Sequence, residues 1–205
     1  YKLEEINLKK RKIKLLQEAN YYTEEIRRII KNKYGFDKIY AQGLSIKSAL
    51  DVNYQLYALS ALRSGIESYD RRHGWRGPIL NTKVQKNWQE ILKEKKIDPS
   101  LNWKFAKING VKDSQISFQF LDNEEQGIIT ANSLKWAIKK SIYNSFKIND
   151  IIYVHKNLNK NWELKQYPKV NGAIVAIDPF SGKVKALVGG FSFNTSEFNR
   201  ATQAK

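Results

Sequence analysis

Apolar residues return at helical spacing through the first third of the chain and at alternate positions through most of the rest. Leu3, Ile6, Ile13 and Leu16 sit among Lys and Arg and predict a weakly amphipathic helix over Leu3–Ala19. A second helix is expected over Thr23–Lys33, with Thr23 as N-cap, Ile26, Ile29 and Ile30 on one face, and Gly35 as the stop. "GLSIKSAL" (Gly43–Leu50) alternates Leu44, Ile46, Ser48 and Leu50 with polar partners and reads as a strand. Asp51 then caps a strong helix running to Tyr69, with Val52, Leu56, Leu59, Ile66 and Tyr69 at helical spacing. "RRHGWRGP" (Arg71–Pro78) ends it with two glycines and a proline.

Past that boundary, Thr82-x-x-Gln85 has the form of a capping box and predicts a short helix with Val84, Trp88, Ile91 and Leu92 inward, broken at Pro99-Ser100. The period then becomes two. Trp103, Phe105 and Lys107 share one side of a strand. Ile116, Phe118 and Phe120 oppose Gln115, Ser117 and Gln119 on the next. "GIITANSLKWAI" gives a short strand and a short helix capped by Thr130, and "DIIYVHKN" and "WELKQYP" give two more strands joined by "NLNKN". Five short strands with a helix after the third is the order of an oligonucleotide/oligosaccharide-binding (OB) barrel, although the spacing also suits an SH3-like barrel. Pro168 separates this block from a closing hairpin. The fold class is therefore α+β, a small OB-like barrel flanked by helices and a hairpin.

Composition narrows the chemistry. At 205 residues, 41% hydrophobic and 12% aromatic, the chain can build one sizeable core or two small ones. With no Cys it has no disulfide, zinc knuckle or thiolate nucleophile. With no Met and Tyr1 in first place, it is expected to be a fragment or a processed product. No run of about 18 apolar residues marks a membrane span, and no signal peptide is visible. The net charge is +16. Such a charge fits a binder of nucleic acid or of an anionic surface, but an ordinary Lys-rich surface is the preferred reading, since only "LKKRKIK" (Leu8–Lys14) is a dense cluster.

Candidate catalytic groups are few. There is no Gly-rich phosphate cradle and no H-E-x-x-H. Glu124 and Glu125 stand in the turn "LDNEEQG" and read as solvated. His73 lies in the punctuation after the long helix and His155 alternates with Tyr153 in a strand, so both read as structural or surface residues. Trp103, Phe105, Phe118, Phe120, Tyr153 and Trp162 could stack on single-stranded nucleic acid, but Phe118 and Phe120 share a face with Ile116, which is the pattern of a barrel core.

Two stretches carry a resemblance. Tyr21–Pro78 contains a helix with paired arginines, a Tyr-Gly, a Gly-Leu-led strand, an "LD" cap with a following Gln, and "YDRRHGWRGP". Gly172–Lys205 contains "GAIVAIDPFSGKVKALVGG" followed by "FNRA". The chain resembles class A, bifunctional penicillin-binding proteins of the 1A type: the first stretch their linker region, the second the start of their transpeptidase domain, with a barrel-like insert between. The resemblance implies a division into residues 1–75 (linker), 76–168 (OB-like insert) and 169–205 (first hairpin of the transpeptidase domain). It implies a parent enzyme with peptidoglycan glycosyltransferase and D,D-transpeptidase activities. This stretch itself is expected to hold no catalytic, cofactor-binding or metal-binding residue. The S-x-x-K, S-x-N and K-T-G triad of such enzymes is not present, and "SALR", "SLKW", "SIYN" and "SGKV" do not match its first member.

The same resemblance implies a soluble segment on the periplasmic side of the inner membrane, its parent anchored by a helix before Tyr1, with an outer-membrane lipoprotein activator or peptidoglycan as partner and no nucleic acid. A stand-alone OB-type binder of single-stranded nucleic acid is the alternative. In the hairpin, Asp178-Pro179 opens the turn and Gly182 closes it. Ala173, Val175 and Ile177 are expected on one face and Ile174 and Ala176 on the other, both buried. Gly189-Gly190 is expected to let the chain bend away, and Phe191–Lys205 to be poorly ordered beside an unpaired strand edge.

Overall fold

The computed structural model describes residues 16–41, 44–95 and 97–204. The expected helix over Leu3–Ala19 lies almost wholly outside the described residues, and only a 3₁₀ turn at Gln17–Ala19 remains of it. That turn feeds α1 (Asn20–Tyr34), which starts three residues before the expected cap at Thr23. Gly35, at φ +82°, ends α1 and reverses the chain into the five-residue α2 (Phe36–Tyr40). Residues 44–50 form no strand and pair with none among the described residues. Alternation alone did not make a strand there, because no neighbouring edge takes up its backbone groups.

Asp51 is the N-cap of α3 (Val52–Arg72): its Oδ1 accepts from the backbone N–H groups of Asn53 and Tyr54 at 3.0 and 3.2 Å. The buried face of α3 is Gln55, Ala58, Leu59, Leu62, Ile66 and Asp70. Val52, Leu56 and Tyr69, expected inward, are exposed instead. The true stripe is offset because two of its members, Gln55 and Asp70, are polar and leave no trace in a hydrophobic pattern.

The chain then forms β1 (Leu80–Asn81), α4 (Trp88–Glu94), β2 (Lys104–Lys112), β3 (Gln115–Phe120), β4 (Gln126–Thr130), α5 (Ala131–Leu134), α6 (Ile142–Ser145), β5 (Asp150–Lys156) and β6 (Trp162–Lys165). The capping box at Thr82 opens no helix. Thr82 N–H bonds to Asn149 O, Val84 is exposed, and the turn continues until α4 begins at Trp88. The strands form one antiparallel sheet in the order β1-β5-β2-β3-β4, with β6 also on β5. The expected barrel is open: among the described residues no ladder joins β4 to β6. Where one helix was expected after the third strand there are two, and Ser141 Oγ caps the second by accepting from Asn144 N–H.

The sheet closes over a core that includes Ile108, Ile116, Phe118, Phe120, Ile129, Leu134, Phe146, Ile152 and Leu164. Gly127 lies opposite Phe118 in the β3–β4 ladder, and a β-carbon there would run into the Phe118 ring. Close approach is what this position demands.

β7 (Ile174–Ile177) and β8 (Val184–Val188) form a separate antiparallel pair. Its turn is built as the residue types predict. Asp178 carboxylate oxygens accept from Phe180 N–H and the Ser181 hydroxyl, and Gly182 takes φ +67°. Only one face is covered, however. Ile174, Ala176, Ala186 and Val188 pack in the second core, whereas Val175 and Ile177 are exposed. This core joins Tyr21 and Tyr22 of α1, Leu59, Leu62 and Ile66 of α3, Trp103 at the start of the sheet domain, and Phe191. At about 1.5–3 kcal/mol for each large apolar side chain fully buried, this shared core is what fixes α3 between the hairpin and the sheet domain.

Candidate functional site at the junction

Three polar groups along α3, Gln55 and Asp70 buried and Arg63 partly so, organise the junction. At its end, Asp70 is 4% exposed. It receives a bidentate pair from Arg76 at 2.8 and 2.9 Å, the Gln166 side-chain amide at 2.8 Å and the Lys169 backbone N–H at 3.2 Å. Arg76 also donates to Tyr167 O at 2.6 Å, and Arg76 N–H donates to Gln166 Oε1 at 2.9 Å. Residues 70–76 lead into the sheet domain and 166–169 lead out of it. One carboxylate therefore ties both connections to the end of one helix. Burial alone would raise its pKa, but the hydrogen bonds from Arg76, Gln166 and Lys169 outweigh that and hold it below the ordinary range.

Midway along α3, Arg63 donates from Nε to Phe191 O at 2.9 Å and from its terminal nitrogens to Ser100 O and Ser100 Oγ at 3.2 and 2.8 Å, with Asp98 at 3.5 Å. Asp98 in turn accepts from Ser100 N–H, Ser100 Oγ and Ser192 Oγ at 2.9, 2.6 and 2.7 Å. Burial raises the Asp98 carboxyl, yet the Ser100 and Ser192 hydroxyls and the Arg63 charge bring it below its usual value. At the start of α3, Gln55 is fully buried. Its amide donates to Glu18 O and Leu187 O at 2.9 and 3.1 Å and its carbonyl accepts from Leu187 N–H at 2.9 Å. The side chain stands in for a neighbouring strand at the edge of β8.

The segment after β8 is packed, contrary to the expectation of disorder from Phe191 onward. Phe191, Ser192 and Asn199 are buried. Tyr21 OH lies 3.1 and 2.6 Å from Ser192 O and Ser196 O, and burial pushes its phenol up to about 12. Glu25 of α1 accepts from Asn199 Nδ2 and Thr202 Oγ1 at 3.2 and 2.8 Å. Gly189 and Gly190 are required for contact rather than for bending: β-carbons there would meet the Asn199 side chain and the Tyr21 hydroxyl. The unpaired hairpin did not leave the tail loose, because α1 supplies the surface it packs on.

The residues weighed as chemical candidates do not converge. His73 Nδ1 lies 2.9 Å from Tyr69 O, one turn back at the end of α3, and His155 Nδ1 lies 3.3 Å from Asn102 O. Glu124 and Glu125 stand exposed in their turn. Among the described residues no cluster of His, Asp and Glu has the makings of a metal site. Phe118 and Phe120 are core residues, Trp162 packs on both rings at 5.7 and 5.1 Å, and Trp103 is buried in the shared core. These aromatics do not make a stacking platform, which disfavours the nucleic-acid alternative. Two S-x-N spellings occur, Ser100–Asn102 and Ser192–Asn194, and both serine hydroxyls are engaged with Asp98. The junction residues Arg63 and Asp98 carried no sequence signal, and Gln55 only that of the Gln following the "LD" cap. Asp70 and Arg76 did, through the string "YDRRHGWRGP" whose mechanical sense the clamp supplies.

Asp70 and Asp98 both titrate low in the folded chain, so their contribution is complete above about pH 4, the carboxyl value of an unfolded chain, and is lost as pH falls through the lower folded values. The thermal midpoint is expected to fall steeply below about pH 4. Calorimetry across pH 7 to 3 reads this directly, and an Asp70→Asn variant should show a shallower fall.

The sheet domain and its surroundings are similar to known proteins. Residues 75–170 match the penicillin-binding protein OB-like domain. Along nearly its whole length the chain is similar to one kind of penicillin-binding protein, penicillin-binding protein 1A. It is 37% identical to that of Rickettsia felis over 203 residues, covering 97% of this chain and 25% of the relative, and 31% identical to that of Escherichia coli, covering 91% and 23%. The crystal structure of penicillin-binding protein 1A from Haemophilus influenzae superposes with a TM-score of 0.76 at 28% identity, covering 94% of this chain and 29% of that one. The chain thus spans about a quarter of the length of the curated relatives it matches. No described helix is long and apolar enough to cross a membrane.

Proposed function

We propose that this chain is the non-catalytic middle of a bifunctional peptidoglycan synthase. It sets the spacing between the glycan-polymerising and peptide-crosslinking units and presents the OB-like domain as a docking platform in cell-wall synthesis. On this reading residues 1–75 are linker, 76–168 the insert and 169–205 the beginning of the transpeptidase fold. The parent is held at the periplasmic face of the inner membrane by a helix outside this sequence. The platform's partner is an outer-membrane lipoprotein activator or peptidoglycan itself. The observation that carries the proposal is the Asp70 clamp. A domain whose two connections are locked to one helix end keeps a set orientation to that helix, and the helix keeps its own to the hairpin through Gln55 and Arg63.

The test compares this chain with a version continued downstream through the S-x-x-K serine, both exposed to a fluorescent penicillin. The expected result is a covalent label on the longer protein alone, since acylation needs an activated serine hydroxyl and the hydroxyls of Ser100 and Ser192 here bond to Asp98. Labelling of the shorter chain, or none on the longer one, would refute the reading.

A further inference from the structure

We propose that the turn joining α1 to α2 is a docking tip for an anionic lipid surface. α1 is buried at its first turn, where Tyr21 and Tyr22 enter the shared core, and residues 31–38 beyond are all exposed. Fifteen residues of helix put the two ends of α1 about 20 Å apart, so the tip stands clear of the core that holds its base. The tip carries three large rings, Tyr34, Phe36 and Tyr40, exposed by 44, 59 and 55%. Single exposed aromatics are ordinary, but three within seven residues, at the end of α1 and along α2, form a patch. Phe36 and Tyr40 pack with ring centroids 4.3 Å apart, and the Lys33 and Lys38 ammonium groups lie 5.3 and 5.9 Å from the Tyr34 centroid.

The charge on the tip is one-sided. Residues 27–40 hold Arg27, Arg28, Lys31, Lys33 and Lys38 against Asp37. Glu24 and Glu25 pair with the two arginines, at 2.6 and 3.1 Å, which leaves the three lysines toward solvent. Rings at a helix end among lysines are the chemistry of the membrane interface. The rings enter the headgroup layer and the ammonium groups meet anionic phosphates. A strand of nucleic acid suits the patch less well, because Phe36 and Tyr40 pack on each other, and the Tyr40 hydroxyl accepts from Arg27, rather than standing apart to take successive bases.

The test is co-sedimentation of this 205-residue chain with vesicles of phosphatidylcholine and phosphatidylglycerol (7:3) and with phosphatidylcholine alone. Three proteins are compared: wild type, the ring variant Tyr34→Ser/Phe36→Ser/Tyr40→Ser, and the charge variant Lys33→Glu/Lys38→Glu. The basic run Leu8–Lys14 is intact in all three, so it cannot account for a difference between them. Wild type is expected to bind the anionic vesicles and not the neutral ones. The charge variant is expected to bind more than about 25-fold more weakly, at roughly five-fold for each lysine removed with the added glutamates repelling further, and the ring variant about ten-fold more weakly. Both variants should keep the wild-type unfolding midpoint. Indifference of wild type to anionic vesicles overturns the proposal, as does either variant binding like wild type. So does retention of a single-stranded oligonucleotide that the ring variant alone loses, or a fall in midpoint showing the rings to be packed.

Discussion

Replacing Asp70 with alanine is expected to destabilise the chain by about 3–5 kcal/mol, because it strands several donors that the buried carboxylate satisfied, at about 1–3 kcal/mol each. The loss has several parts. The Arg76 guanidinium loses its bidentate acceptor, and the Gln166 amide and Lys169 N–H lose theirs in the same pocket. At roughly 2–4 °C per kcal/mol for a chain of this size, the thermal midpoint should fall by about 10 °C, which scanning calorimetry resolves easily. The readout that separates a clamp from an ordinary buried carboxylate is hydrogen exchange. Amides near the inbound and outbound connections, 71–76 and 166–169, should lose protection ahead of the strand core around Phe118. Arg76→Ala should cost less, because the arginine is partly solvated and the other donors to Asp70 remain. Equal protection loss across the whole sheet domain would mean that Asp70 stabilises the domain itself rather than its attachment.

The second large effect is expected from Gln55→Ala. The side chain is fully buried and satisfies Leu187 N–H, Leu187 O and Glu18 O. Truncation strands backbone groups inside the protein, at about 1–3 kcal/mol for each one left without a partner or water. A total loss of about 3–4 kcal/mol is therefore expected, measured by urea unfolding with the slope unchanged. Gln55→Glu tests the geometry separately: it keeps the acceptor for Leu187 N–H but replaces the donor facing two carbonyls with oxygen. It should be no better tolerated than alanine, and a milder effect would show that water enters the site.

How much of this was legible in the residues differs from element to element. The Asp51 cap, the Asp178–Gly182 turn and the succession of the five longer strands along the sheet domain follow from rules that act within a few residues, and they stand in the fold where those rules place them. The inward face of Ile116, Phe118 and Phe120 was equally plain from a period of two. What misled was context. "GLSIKSAL" has the alternation of a strand but no edge to join, and the capping box at Thr82 lost its amide to Asn149 O. The hairpin looked buried on both faces because its composition is uniformly apolar, yet Val175 and Ile177 meet solvent. The junction was hardest to see. Gln55, Arg63, Asp98 and Ser192 act across sequence separations as large as 132 residues, and a polar residue inside a helix gives no local sign that its partner is distant.

The meeting of residues 70–76 with 166–169 bears on how such a molecule diversifies. A host chain interrupted where it leaves a helix, and resumed within hydrogen-bonding reach of the same spot, need not bend to accommodate what lies between. The interrupting module can lengthen, shrink or be exchanged while the flanking helix and hairpin keep their packing, so long as its two ends still meet at one acidic side chain. The module's outer surface can therefore vary without disturbing the packing of the helix and hairpin that hold it.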